Sequence, residues 1–154
     1  MFTLLKAQTK IPIPEYTVTL GAGAGPTYGV IGFKSVLGKK GNGFLLSLGK
    51  FNEKLKYQLG FQFCTEYLFI NASYGSVGEF QYEQDGSTIT ESLSGITLII
   101  GGMVNLGKEK RFFIDPGVGV STPFMYKESA LLIGELGFRI AVGVGYRIGG
   151  YKKG

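Results

Sequence analysis

The 154-residue chain has no histidine, no tryptophan, one cysteine and few charges. Without histidine, the commonest general base and the commonest metal ligand are both missing. One cysteine, Cys64, excludes an intramolecular disulfide framework and any multi-cysteine zinc site. Charged residues make up only 18%, against about 25% in an average soluble domain. The longest charge-free stretch, residues 16–33, carries Gly21-Ala22-Gly23-Ala24-Gly25-Pro26 and three threonines, a composition that argues against a transmembrane helix. The net charge of +5 comes from scattered residues, densest at Lys39-Lys40 and Lys152-Lys153, so the footprint of a nucleic-acid binder is lacking.

What is abundant is glycine, 26 residues, together with 12 Phe and 9 Tyr in a chain that is 44% apolar. That is too apolar for disorder, and the glycines lack the triplet period of collagen. The length suits one domain.

From residue 15 onward the apolar residues recur with period two, the mark of strands with one apolar face. Leu136, Phe138, Ile140, Val142, Val144, Tyr146 and Ile148 share one parity; Arg139, Ala141, Gly143, Gly145 and Arg147 fall on the other. The same alternation runs through 16–24, 55–64, 96–106 and 111–122, with Ile99 and Met103 interrupting the polar set, and is less clean near 28–37 and 43–51. Turn signals lie at Gly25-Pro26-Thr27, Gly38–Gly43, Asn52-Glu53-Lys54, Gln84–Ser87, Gly107–Lys110 and Pro123–Glu128, with a weak one near Thr65-Glu66. Counting runs between turns predicts eight strands in an up-and-down meander.

The polar face decides which side meets water. A soluble barrel would carry frequent Lys, Glu, Asp and Arg outward. Here that face is mostly Gly, Thr, Ser, Gln and Asn, which suits the crowded interior of an eight-stranded barrel. The Leu, Ile, Val, Phe and Tyr face suits lipid, and most runs reach the length of about 9–11 residues that a tilted membrane strand needs. The expected fold is therefore all-β, an eight-stranded antiparallel up-and-down transmembrane β-barrel over 15–149, with tails at 1–14 and 150–154. The rival is a soluble calycin-like barrel with a lipophilic ligand inside. The two differ over Leu59, Phe61, Phe138 and Val142, lipid-facing in the first and ligand-facing in the second.

On these dyad strands and the terminal run Gly143-Val144-Gly145-Tyr146-Arg147-Ile148, the chain resembles the small outer-membrane β-barrel proteins of Gram-negative bacteria, the superfamily of the OmpA membrane domain and OmpX. The resemblance implies residence in the bacterial outer membrane, contact with membrane lipid, and an insertion signal at Val144, Tyr146 and Ile148 read by the barrel-insertion machinery. Ile148 stands where the family has Phe, and Gly149–Gly154 follow it. Tyr16, Tyr57, Tyr82 and Tyr146 are expected to serve as the interfacial girdle in place of tryptophan. Met1–Gln8 reads like the end of a signal peptide, with Ala7-Gln8 resembling a cleavage junction, so a longer precursor is expected. The hydrolases and acyltransferases of similar size use a histidine that this chain lacks.

No catalytic, cofactor or metal site is expected. Gly21–Gly25 has no helix behind it, and Gly49-Lys50 runs into Phe51 rather than Ser or Thr, so neither is a phosphate loop. Cys64, on the interior parity, reads as a small space-filler. Lys56, Glu79, Asp115, Glu135, Arg139 and Arg147 fall on that parity too, and buried charges must pair. They predict an internal ion-pair network centred on Arg139 with Glu135 or Asp115, acting as a plug in a narrow lumen rather than a gated ion path. The hairpin 67–106 is about twice the length a bilayer requires, so its tip, Glu79–Ser94, is expected to project as a two-stranded ribbon. With Glu79, Tyr82, Asp85 and Glu91 it is the candidate recognition surface for a protein partner. The expected role is non-enzymatic: structural, adhesive, or as a subunit of a complex.

Overall fold

An alternating chain with two unlike faces is satisfied by strands whose neighbours complete every ladder. The computed structural model describes residues 16–51, 54–84, 86–107, 109–127, 130–133 and 136–150, and among them the fold is all-β, with no α-helix and every pairing antiparallel. The segments are β1 (Tyr16–Gly25), β2 (Val30–Lys39), β3 (Asn42–Phe51), β4 (Lys54–Cys64), β5 (Leu68–Gln84), β6 (Ser87–Gly102), β7 (Val104–Leu106), β8 (Phe112–Ile114), β9 (Gly117–Lys127), β10 (Ala130–Ile133) and β11 (Gly137–Gly150).

Strands β1 to β6 each pair with their sequence neighbour. Strand β6 then pairs with β9, β9 with β11, and β11 with β1, closing a ring of eight. The seam is a nine-pair ladder from Tyr16↔Gly150 to Ala24↔Val142. Segments β7 and β8 continue β6 and β9 in unchanged register past Met103 and Asp115-Pro116. Backbone bonds from Gly102 N to the Pro116 carbonyl at 2.9 Å and from Asp115 N to the Gly143 carbonyl at 3.0 Å hold the ladder across these breaks. Closure leaves no open edge within the ring, whereas the β5–β6 ribbon and β10 extend beyond it.

The termini of the ring, the turn at 40–41 and the ends of β4 and β5 at Cys64 and Leu68 share one end; the turn at 26–29 and the ends of β5 and β6 at Gln84 and Ser87 share the other, called here the mouth. The long hairpin does project there. Strand β5 leaves β4 after Gly75 and β6 leaves β9 beyond Ser94, yet β5 and β6 stay paired to Gln84↔Ser87. A bulge between Ser76 and Gly78 marks the departure, as bulges do where a strand must bend.

One expected turn is corrected. Pro123–Glu128 is not a turn: β9 runs on to Lys127 and pairs back with β10. Pro123 is tolerated because it falls in a gap, where the β9–β11 ladder has ended at Ser121 and the β9–β10 ladder begins at Phe124. Glu128 lies outside the described residues.

The ring is apolar outside and mixed inside. Among the described residues thirty-one large apolar side chains are exposed and nine apolar residues are buried, the reverse of a water-soluble domain. The interior holds polar residues from every strand of the ring, among them Thr19, Lys34, Ser47, Gln58, Gln62, Asn71, Thr97, Ser121 and Arg147. Ile99 and Met103, which interrupt the polar parity, are buried with Phe69 and Phe113 as an apolar cluster inside the ring, against which Cys64 packs.

Candidate functional site

The interior is stacked along the ring axis, and its middle level is built by the 3-10 turn Pro26–Tyr28. Gly29, at φ 63°, ends that turn, in the left-handed conformation glycine adopts freely. Tyr28 is thereby buried inside the ring against Gly143, where a Cβ would lie 2.0 Å from the Tyr28 hydroxyl oxygen. Close approach is the reason for glycine at 143. The Tyr28 hydroxyl donates to Asp115 Oδ1, and Lys34 Nζ donates to Asp115 Oδ2. Lys34 Nζ also lies 4.8 Å from the Tyr28 ring centroid and 5.3 Å from that of Phe69. The Lys34 and Asp115 side chains are 1% and 0% exposed, so one cation and one anion neutralise each other out of water.

Toward the termini, Arg147 donates to Asn105 Oδ1 at 2.7 Å and to the Lys110 carbonyl at 3.0 Å, and contacts Met103 Sδ. Its guanidinium lies 5.1 Å over the Phe113 ring. Cys64 Sγ sits 3.6 Å from Met103 Sδ and 3.0 Å from the Thr65 carbonyl, neither of them a base that could activate a thiolate. At the rim, Lys110 pairs with Glu66 at 2.5 Å, a bond that holds the Lys110 ammonium above its usual pKa.

At the mouth, Lys56 Nζ pairs with Glu79 Oε1 at 2.9 Å and donates to Ser92 Oγ at 2.8 Å, while Lys54 Nζ donates to the Thr90 carbonyl. These bonds tie the projecting ribbon to the start of β4. Arg139 reaches the bulge, donating from Nη2 to the Val77 carbonyl at 2.9 Å and from Nε to Ser121 Oγ at 3.3 Å. Between the turn after β1 and the bulge lies a cavity of about 410 Å³, walled by Pro26, Val30, Val77, Lys56, Glu79 and Arg139.

The predicted network is thus rearranged. Lys56 and Glu79 meet. Asp115 is paired with Lys34 rather than Arg139, because Lys34 enters from β2 and Tyr28 occupies the second oxygen. Arg139 is not the centre: its described partners are neutral oxygens, and no carboxylate among the described residues pairs with it. Glu135 lies outside the described residues. Arg147 joins a separate, terminal cluster. Lys34 was absent from the predicted set, although a signal exists: it is the only charge between Glu15 and Lys39, and such an isolated charge on a small-residue face needs a distant partner.

Of the candidate recognition residues, Glu91 is exposed on the ribbon, whereas Glu79 is spent on Lys56. The Tyr82 side chain and Asp85 lie outside the described parts. Val144 and Ile148 face outward, and Tyr146 is half-buried against Phe112, with ring centroids 4.8 Å apart, and accepts from Arg111 at 3.3 Å. Among the described residues no group of three or more Cys, Asp or Glu is placed to hold a metal. The chain matches no protein-family model, no curated protein and no solved structure.

Proposed function

We propose that the chain is an eight-stranded transmembrane β-barrel of the bacterial outer membrane, similar to the OmpA membrane domain and OmpX, with a non-enzymatic structural, adhesive or complex-subunit role. The observation that carries this reading is the inverted partition of side chains. Leu59, Phe61, Phe138 and Val142, the residues that separate this reading from a ligand-carrying soluble barrel, are 41%, 56%, 67% and 49% exposed on the outer face. Ligand-binding residues of a calycin-like interior would point the other way, and here the interior is filled by Tyr28, Lys34, Phe69, Phe113 and polar side chains.

The apolar band is continuous around the ring and far exceeds the patch of about 300–600 Å² that a typical soluble monomer exposes. From Leu136 to Ile148 it covers about 40 Å along the strand at ~3.3 Å per residue, or roughly 30 Å of height after the usual tilt. The exposed charges among the described residues, Lys39, Lys40, Lys50, Glu91 and Glu109, sit at strand ends, in turns or on the ribbon. A closed ring with water-free partners for its backbone is what hydrocarbon demands. In this setting the outward residues Val144, Tyr146 and Ile148 present the insertion signal, and the ribbon offers a partner-binding surface beyond the bilayer.

The test is to refold the protein with and without detergent and follow its gel migration before and after boiling. Dependence on detergent together with migration that shifts on boiling is expected. A monodisperse protein in plain buffer would overturn the membrane assignment.

A further inference from the structure

The two ends of the ring differ in charge over the whole sequence. Of the eleven Asp and Glu in the chain, Asp115 is in the middle level. Glu79, Glu83 and Glu91 belong to the projecting ribbon, and Glu53, Asp85, Glu128 and Glu135 fall in sequence between strand ends at the mouth. That leaves at most Glu15, Glu66 and Glu109 for the terminal end. On the cationic side, Lys39 and Lys40 lie at the β2–β3 turn, Lys108, Lys110 and Arg111 between β7 and β8, and Lys152 and Lys153 after β11. Seven cations against at most three carboxylates leave at least four positive charges at that end, whichever of them pair with one another. At the mouth, Lys50, Lys54, Lys56, Lys127 and Arg139 face seven carboxylates, a surplus of two negative charges.

Where the cations stand relative to the apolar band decides what they meet. On β2 the exposed outward residues Ile31, Phe33 and Leu37 are followed on the same parity by Lys39, also exposed. Four strands further round the ring, Lys110 precedes the exposed Phe112 on its parity and keeps about a third of its side chain exposed while paired with Glu66. The cations thus occupy separated points of the rim at the edge of the band, not one face or one groove. A nucleic-acid backbone or an acidic peptide needs its cations gathered along a line, whereas the phosphate layer of a bilayer meets the whole rim at once. Lysine suits that plane, because its methylenes lie on apolar surface while the ammonium reaches the headgroups.

We infer that the terminal rim binds the headgroups of anionic phospholipids and that the mouth does not, an inference that rests on the membrane reading above. Each Lys or Arg held near an anionic lipid surface adds to the attraction, and the surplus negative charge of the mouth opposes it there. The barrel would then select anionic lipid in the leaflet at its terminal end alone.

The chain has no tryptophan, so a single one introduced on the outer face reports its own lipid neighbours. Phe44→Trp places it opposite Leu37, two residues from the Lys39↔Asn42 pair, and Phe138→Trp places it at the mouth end of β11. Each full-length variant is refolded into phosphatidylcholine vesicles that carry either brominated phosphatidylglycerol or brominated phosphatidylcholine, and the quenching is compared. Phosphatidylglycerol should be enriched about fivefold beside residue 44, the attraction expected of one cation at an anionic surface, and not beside residue 138. Lys39→Gln with Lys40→Asn should remove most of that enrichment; Asn is chosen because Lys40 holds φ 51°, a conformation Asn adopts readily. Salt at 1 M, where the screening length is about 3 Å, should do the same without those substitutions, which keeps the test decisive if the double variant fails to refold. Equal quenching by the two lipids at residue 44, equal enrichment at residue 138, or enrichment that survives salt would each overturn the inference alone. Failure to enter vesicles of either composition would overturn the membrane reading and this inference with it.

Discussion

The middle and the mouth of the ring each hold a lysine–carboxylate pair, but they use charge differently. In the middle, Lys34 and Asp115 cancel inside a packed level where Tyr28 and Phe69 leave no room, and Asp115 spends both oxygens on buried donors. At the mouth, Lys56 and Glu79 pair as well, but at the edge of a cavity, where Arg139 is held among the described residues by neutral oxygens. Buried charge that is fully compensated and enclosed ties strands together. The mouth pair instead ties the projecting ribbon to the ring at the edge of open space, with the Glu79 side chain 12% exposed against 0% for Asp115.

The sharpest way to break the comparison is Asp115→Ala. It strands Lys34 in a nearly water-free level, and losing one member of a buried pair costs about 3–5 kcal/mol. Urea titration of the refolded protein should show a loss of that size. The double variant Lys34→Met with Asp115→Leu should recover part of it, since an apolar pair needs no compensation while the buried Tyr28 hydroxyl still loses its acceptor. A single variant within about 1 kcal/mol of the parent, well short of that cost, would mean that the middle level is hydrated and differs little from the mouth.

Glu79→Gln tests the other side. Lys56 keeps its bond to Ser92, so the stability loss should be about 1–2 kcal/mol, the size of one charged hydrogen bond. A loss as large as that of Asp115→Ala would mean that the mouth pair is as enclosed as the one in the middle.

Much of this was legible because a period of two assigns faces without any tertiary knowledge. Leu59, Phe61, Phe138 and Val142 were separable from Gln58, Gln62 and Arg139 by parity alone, and the projection of the hairpin followed from its length. The two breaks in parity, Ile99 and Met103, were visible too, but not their meaning, since the apolar cluster with Phe69 and Phe113 forms only when β5, β6 and β8 converge. Pairing of charges was the hidden part. Parity puts Asp115 and Arg139 on one face, while register and axial level decide that Asp115 meets Lys34. Pro123 misled for a similar reason: its missing donor signals a turn locally, and only the gap between two ladders makes it acceptable in a strand. The bulge at Ser76–Gly78 has no local marker beyond glycine, yet it builds the cavity wall.

The terminal rim supplies the mildest contrast, a pair exposed to water. Lys110 and Glu66 meet at 2.5 Å with each side chain about a third exposed, 32% and 29%. Their hydrogen bond raises the Lys110 pKa. A cation whose pKa is raised by folding contributes its stability below the unfolded value of about 10.4 and loses it as pH climbs through the higher folded value. The difference in urea midpoint between the parent and Lys110→Met should therefore be small and constant near neutral pH, and should shrink to nothing on the alkaline side. The Lys110 carbonyl, which accepts from Arg147, is untouched by this substitution, so the terminal cluster remains intact and the measured difference belongs to the side-chain pair. A difference that grew with pH would show that Lys110 is held by burial instead, and the rim would then resemble the enclosed middle more than the surface.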